Sequence, residues 1–196
     1  MCRPLQKQTF ATWNVEGLRG DSIVKLVELT EMMKRRCISV LCIHETHLHG
    51  AEYYKDDSGF LICLSGELDD KTRSDAGVGF IVSPWACSAI VAFRACSSRS
   101  ASLRINVLGG VITLLPVDAP HGGHDVEDRQ DFYSDLQGLI RPTTPHSTTV
   151  ALGDFNARLL KRKAGEHNMI GEYAFESNPP KKTPTVVTNR QLLVEC

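Results

Sequence analysis

The stretch Ile38-Ser39-Val40-Leu41-Cys42-Ile43 restricts the possible folds more than any other part of the chain. It is apolar at nearly every position, so a strand built from it has no face that suits water. A sheet holding such a strand must be covered on both sides. Just before it, over 22–36, apolar residues recur at helical spacing (Ile23, Leu26, Val27, Met33). Asp21 or Ser22 is positioned to cap that helix, and Lys34, Arg35 and Arg36 close it as the helix dipole favours. Thr9-Phe10-Ala11-Thr12-Trp13 reads as a strand ahead of the helix. Strand, helix and buried strand in succession predict a mixed fold with helices packed on sheets.

The middle of the chain carries β signals over 60–64, 77–82, 89–93, 103–108 and 111–117, with a Gly109-Gly110 hairpin signal between the last two. Asp125 is the expected cap of a helix over 126–140, with Pro142 beyond its end, and 148–152 is a further apolar run. Another helix is expected to start at Thr188 or Asn189. With 196 residues the chain suits one domain with its own core. There are 22 Lys+Arg and 23 Asp+Glu, a formal charge of −1, so any chemistry on nucleic acid must rest on a site and not on net charge. No apolar run is long enough to span a bilayer as a helix, and the N-terminal residues lack a secretory pattern, so no membrane partner is expected. Seven cysteines without framework spacing point to a reduced, intracellular protein.

Three polar clusters follow predicted strands: Trp13-Asn14-Val15-Glu16-Gly17, Cys42-Ile43-His44-Glu45-Thr46-His47, and Gly153-Asp154-Phe155-Asn156. Singly, each has a plain reading as turn formers or solvated loop residues. Together they offer two hard oxygen ligands, Glu45 and Asp154, of the kind Mg²⁺ takes alongside a substrate phosphate. Asn14 and Asn156 add neutral groups able to donate to a phosphate oxygen or orient a water. That set suits metal-assisted phosphodiester hydrolysis. His44, His47 and His49 with Cys37 and Cys42 match no zinc-finger spacing and read as loop histidines and core cysteines.

These stretches, with Ala76-Gly77-Val78-Gly79-Phe80, Val117-Asp118-Ala119-Pro120-His121 and Asn189-Arg190-Gln191-Leu192-Leu193, resemble the exonuclease III/AP-endonuclease-like members of the endonuclease/exonuclease/phosphatase superfamily. Within it, they look most like the endonuclease domains of non-LTR retrotransposons. The matches run in family order across nearly the whole chain. The resemblance implies a four-layer αββα sandwich of the deoxyribonuclease I-like type, a bound Mg²⁺ or Mn²⁺, DNA as partner, and a nuclear location. It implies Glu45 as principal metal ligand and Asn14 as its neighbour holding metal or phosphate. Asp154 would align or deprotonate the attacking water near the metal, and Asn156 would bind the scissile phosphate. His121 would lie on a loop near substrate.

Two departures stand out. The family usually has Tyr where this chain has Asp118, and an ionised carboxylate there cannot donate to phosphate and repels it unless it binds metal. The family's last segment, with a metal-binding Asp and a terminal Ser-Asp-His, has no match before Cys196, so 1–196 reads as a single, C-terminally incomplete domain. An uncovered sheet edge and self-association are the expected consequence. Lys161-Arg162-Lys163 is either solvated surface or a grip on DNA backbone, and Lys181-Lys182 reads as surface. The leading expectation is a metal-dependent DNA endonuclease. The alternatives are an inactive or domesticated nucleic-acid- or protein-binding remnant and, behind it, a phosphoinositide or sphingolipid phosphoesterase of the same fold.

Overall fold

The structure, a computed structural model, describes residues 8–18, 22–68, 75–141, 147–159, 162–171 and 188–196. Its elements run β1 (Phe10–Asn14), α1 (Ser22–Arg36), β2 (Val40–His44), β3 (Ala51–Lys55), β4 (Leu61–Ser65), β5 (Val78–Val82), a short 3-10 turn (Cys87–Ala89), β6 (Ile90–Ser97), β7 (Ser100–Val107), β8 (Gly110–Asp118), α2 (Val126–Ile140), β9 (Ser147–Asp154) and α3 (Asn189–Glu195). They fall into two compact units, Met1–Asp118 with Ile140–Asp154, and Ala119–Leu139 with Phe155–Cys196.

The first unit holds two sheets, ordered β1-β2-β5-β4-β3 and β6-β7-β8-β9. The pairs β1/β2 and β8/β9 are parallel and the rest antiparallel. Every residue of β2, β4 and β5 is buried, which follows from alternation between two cores. Val40, Cys42, Leu61, Cys63, Phe80 and Val82 pack with Ala101, Leu103, Ile105 and Leu114 of the second sheet. Their neighbours Leu41, Ile43, Ile62, Leu64 and Ile81 turn the other way and pack with Leu18 and with Met33 of α1. The apolar run at 38–43 is therefore buried on both faces, as its composition requires. With α1 packed on one face of the first sheet and the second sheet on its other face, the unit is the α/β sandwich expected from the sequence.

The helices expected over 22–36 and 126–140 are α1 and α2. Capping of α1 at Asp21 falls outside the described residues. The strand β3 was not expected. All five of its residues are exposed, so it shows no alternation, and pairing with β4 alone defines it. Cys42, Cys63, Cys87, Cys96 and Cys196 carry free thiols, and burial pushes those of Cys42 and Cys63 up. Cys37 is disulfide-bonded, so the expectation of a reduced chain does not extend to it. No helix among the described residues is long and apolar enough to cross a membrane.

The second unit is tied by polar contacts from α3. Arg129 Nη1 donates to Asn189 Oδ1 (3.1 Å), and Asn189 Nδ2 donates to the Pro120 carbonyl (2.8 Å). Arg190 grips Glu166 with two parallel bonds of 2.9 and 2.6 Å, and its Nε donates to the Leu159 carbonyl. This bidentate hold, with the Lys163 amide, keeps the Glu166 carboxyl down at about 2. Thr188 and Gln191 close a capping box at the start of α3.

Candidate active site

Parallel register places Asn14 opposite His44, so β1 and β2 end at the same edge of their sheet. The two loops beyond are stitched together. The amides of Val15, Gly17 and Leu18 donate to the carbonyls of His44, Glu45 and Thr46 at 3.0, 2.7 and 2.8 Å. This stitching holds Glu16 (φ 48°), Glu45 (φ 55°) and His47 (φ 57°) in the left-handed region, which costs an L residue roughly 1–2 kcal/mol each. Such conformations persist only where neighbours impose them, and they gather at functional sites. Asn14 Oδ1 accepts from the Glu16 amide at 2.9 Å, which fixes the amide's orientation. Its Nδ2 then donates to Glu45 Oε1 at 2.6 Å. The Glu45 loop is also braced by the two residues just before β5, because the amides of Thr46 and His47 donate to the carbonyls of Gly77 and Ala76. A Cβ on Gly77 (φ 118°) would lie 2.1 Å from Thr46 Oγ1, which accounts for the glycine there.

A second pair of parallel ends brings up two more carboxyls. Asp118 of β8 lies in register with Asp154 of β9, and side chains in register share one face of the sheet. Asp154 follows Gly153, whose φ of 150° comes with a Cβ position only 2.0 Å from the Val117 carbonyl oxygen. Asp118 is 4% exposed, and its Oδ2 has no hydrogen-bond partner. Arg99 Nη1 stands 4.0 Å from that oxygen and donates to the Asp118 carbonyl at 3.3 Å, while Nη2 donates to Asp75 at 3.1 Å. Burial pushes the Asp118 carboxyl up to about 7; Arg99 opposes this, and the negative charges of Glu45, Asp154 and Asp75 add to it. His44 is buried beneath the same end of the unit. Burial lowers its pKa against the pull of Asp154 and Glu45.

Asn14, Glu45, Asp118 and Asp154 thus gather at strand ends of the first unit. Asn156 (φ 46°) and His121 lie in the second. Asn156 Nδ2 donates to the Ala119 carbonyl at 2.7 Å, and the His121 ring sits 4.5 Å from that of His124. Lys161 and Lys181-Lys182 fall outside the described residues. Sequence reasoning passed over Lys25 and Arg99. Lys25 had a readable sign: a cation in the first turn of α1 opposes the helix dipole, and α1 has no acid there. Arg99 gave none, because its partner Asp118 is set by tertiary pairing.

Among the described residues, no three His, Cys, Asp or Glu side chains are gathered tightly enough to hold an ion by themselves. Mg²⁺ does not need such a cage, since it commonly binds one or two carboxylates and keeps waters and substrate phosphate. Glu45, half-buried and oriented by Asn14, supplies such a carboxylate. The buried Asp118 Oδ2, which has no hydrogen-bond partner, is a further hard oxygen in the first unit. The donor chemistry fits a hard divalent cation.

No protein-family model matches the chain. Craniofacial development protein 2 of Tragulus javanicus is 28% identical over 155 residues, covering 79% of this chain and 26% of that protein. The Bos taurus protein of the same name is 27% identical, with 79% and 25% covered. The chain spans about a quarter of the length of these curated relatives. Among solved structures it is similar to an AP endonuclease from Archaeoglobus fulgidus, with a TM-score of 0.59 at 14% identity over 96% of this chain and 69% of that one. It is also similar to an endonuclease/exonuclease/phosphatase family protein from Leptotrichia buccalis, with a TM-score of 0.54 at 15% identity over 78% and 67%. These likenesses define the class of architecture: the chain has the deoxyribonuclease I-like sandwich fold of endonuclease/exonuclease/phosphatase proteins.

Proposed function

We propose that this chain is a divalent-metal-dependent phosphodiesterase domain acting on DNA as an endonuclease, related to the nicking domains of non-LTR retrotransposons. The observation that carries the reading is the Asn14–Glu45 hydrogen bond of 2.6 Å, held by left-handed loops at the same end of the unit as Asp118 and Asp154. In this reading Glu45 holds Mg²⁺ or Mn²⁺, and the bound cation supplies charge stabilisation for the leaving oxygen. Asn14 keeps the Glu45 carboxylate turned to its task. Asp154 takes up a proton from the attacking water or orients it, as a carboxylate fixed at a strand end is suited to do. Asn156, two residues on, contacts the scissile phosphate. The motif order from Trp13 to Leu193 supports treating 1–196 as one, C-terminally incomplete domain of this type, and a nuclear place of action follows from the family resemblance alone.

The test is nicking of supercoiled plasmid by the purified chain with Mg²⁺, with chelator, and as the Glu45→Gln and Asp154→Asn variants. The proposal expects metal-dependent nicking that falls at least ~100-fold in each variant. Folded protein that fails to nick, or variants as active as the parent, would refute it.

A further inference from the structure

Lys25 lies in α1, outside the acidic cluster, yet its ammonium is wholly committed to the loop behind Asn14. Its Nζ donates to the carbonyls of Val15 (3.1 Å), Glu16 (3.3 Å) and Gly17 (2.7 Å). A lysine ammonium has three donors, and here three consecutive carbonyls receive them. Consecutive carbonyls of an extended segment do not ordinarily converge on one point. They do so here because Glu16 (φ 48°) and Gly17 (φ 86°) are left-handed. The same curl presents the Glu16 amide to Asn14 Oδ1 and the Gly17 amide to the Glu45 carbonyl. The lysine also accepts an adverse place in the first turn of its helix. A local rule broken in this way marks a residue retained for another task.

We propose that Lys25 is a positioning residue: by clamping the carbonyls of residues 15–17 it sets the Asn14 amide on Glu45, and so sets the cation affinity and turnover of the site. This rests on the metal-dependent reading above. Deleting the clamp frees the curl to relax toward ordinary backbone angles, and the Glu16 amide withdraws from Asn14. The amide can then rotate away from Glu45. A side chain that only stiffens the protein would alter melting and leave the kinetics below the melting temperature unchanged. A clamp acting through Asn14 and Glu45 instead changes kcat and cation binding, leaving KM for DNA largely as it was.

The experiment compares the full chain with Lys25→Met, which keeps the aliphatic stem and removes the donors, and with Lys25→Arg, which restores cationic donors to the same carbonyls. Glu45→Gln serves as the control. Mn²⁺ affinity is measured by electron paramagnetic resonance of the free ion, and plasmid nicking by initial rates. Lys25→Met should weaken Mn²⁺ binding and lower kcat by about 10–100-fold each, as loss of an outer hydrogen-bonding partner does, with KM within about twofold. Lys25→Arg should recover part of both losses. Should Glu45→Gln abolish binding and nicking while Lys25→Met matches the parent, the clamp is refuted and the metal-dependent reading stands. Should the parent neither bind Mn²⁺ nor nick, or Glu45→Gln leave both unchanged, the reading itself fails and the clamp with it. Equal losses in Lys25→Met and Lys25→Arg with a matching fall in melting temperature would show a structural role and also overturn the proposal.

Discussion

Replacing Asp118 by Asn removes a charge from a place where the fold resists it, and the size of the effect follows from burial. The carboxyl is 4% exposed with an unpartnered Oδ2, and its pKa is pushed up to about 7. In the unfolded chain the same group ionises in the ordinary carboxylate range. Between those limits the folded state binds the extra proton, so stability falls as pH rises from about 4 to about 7 and then levels off. At ~1.4 kcal/mol per pH unit, the full span is worth about 4 kcal/mol, an upper bound because the interior relaxes around a charge. Asp118→Asn keeps the shape and cannot ionise. It should match the parent near pH 4 and exceed it progressively to pH 8, by up to that amount. The assay is urea unfolding across this range in the presence of chelator, so that no cation compensates the charge. Reading the variant-minus-parent difference cancels the titration of other groups. A difference that stays flat with pH would refute the reasoning, and one that grows toward acid would reverse its sign.

Gly153→Ala should destabilise the first unit by more than about 1 kcal/mol, read by urea unfolding, because its Cβ would fall 2.0 Å from the Val117 carbonyl oxygen at a φ of 150°. Thr188→Ala removes one half of the capping box and should cost about 1 kcal/mol, seen as faster amide exchange across Asn189–Glu195. The second unit should loosen as pH falls toward about 2, where Glu166 gains its proton and Arg190 loses its partner, and Glu166→Gln should shift the acid transition measured by circular dichroism to higher pH. Among the described residues β9 pairs only with β8, so size-exclusion chromatography at rising protein concentration should show self-association, and a monomer throughout would count against an adhesive edge.

The parts of this architecture legible in the sequence were those with a strong local signal. Helix 22–36 announced itself by apolar spacing, helix 126–140 by the cap at Asp125 and by Pro142 beyond its end, and the strand at Val40–His44 by the apolar run 38–43, which offers apolar side chains to both faces. The exposed residues of β3 carry no such pattern, since its existence depends on Leu61–Ser65 offering a free edge. Asn14, Glu45 and Asp154 could be singled out because each follows a readable strand. Their convergence could not be derived that way, since it arises from parallel register between strands far apart in the chain. That Asp118 departs from the tyrosine of the family the sequence resembles was visible in the sequence. Its burial and its relation to Arg99 depend on which strand lies beside which, and this no local window contains.

The two parallel pairs have a consequence for how the protein comes into being. Each joins strands that cannot meet through a tight turn: β1 reaches β2 across α1, and β8 reaches β9 across α2. Contacts of this kind form late, because a long excursion must be ordered before they stabilise anything. Asn14 therefore meets Glu45 only once the crossover through α1 has closed, and Asp118 comes into register with Asp154 only once the one through α2 has. A partly folded chain holds these carboxylates apart. The site is a product of the completed topology, and a mutation that delays either crossover lengthens the time the chain spends with its strand edges open.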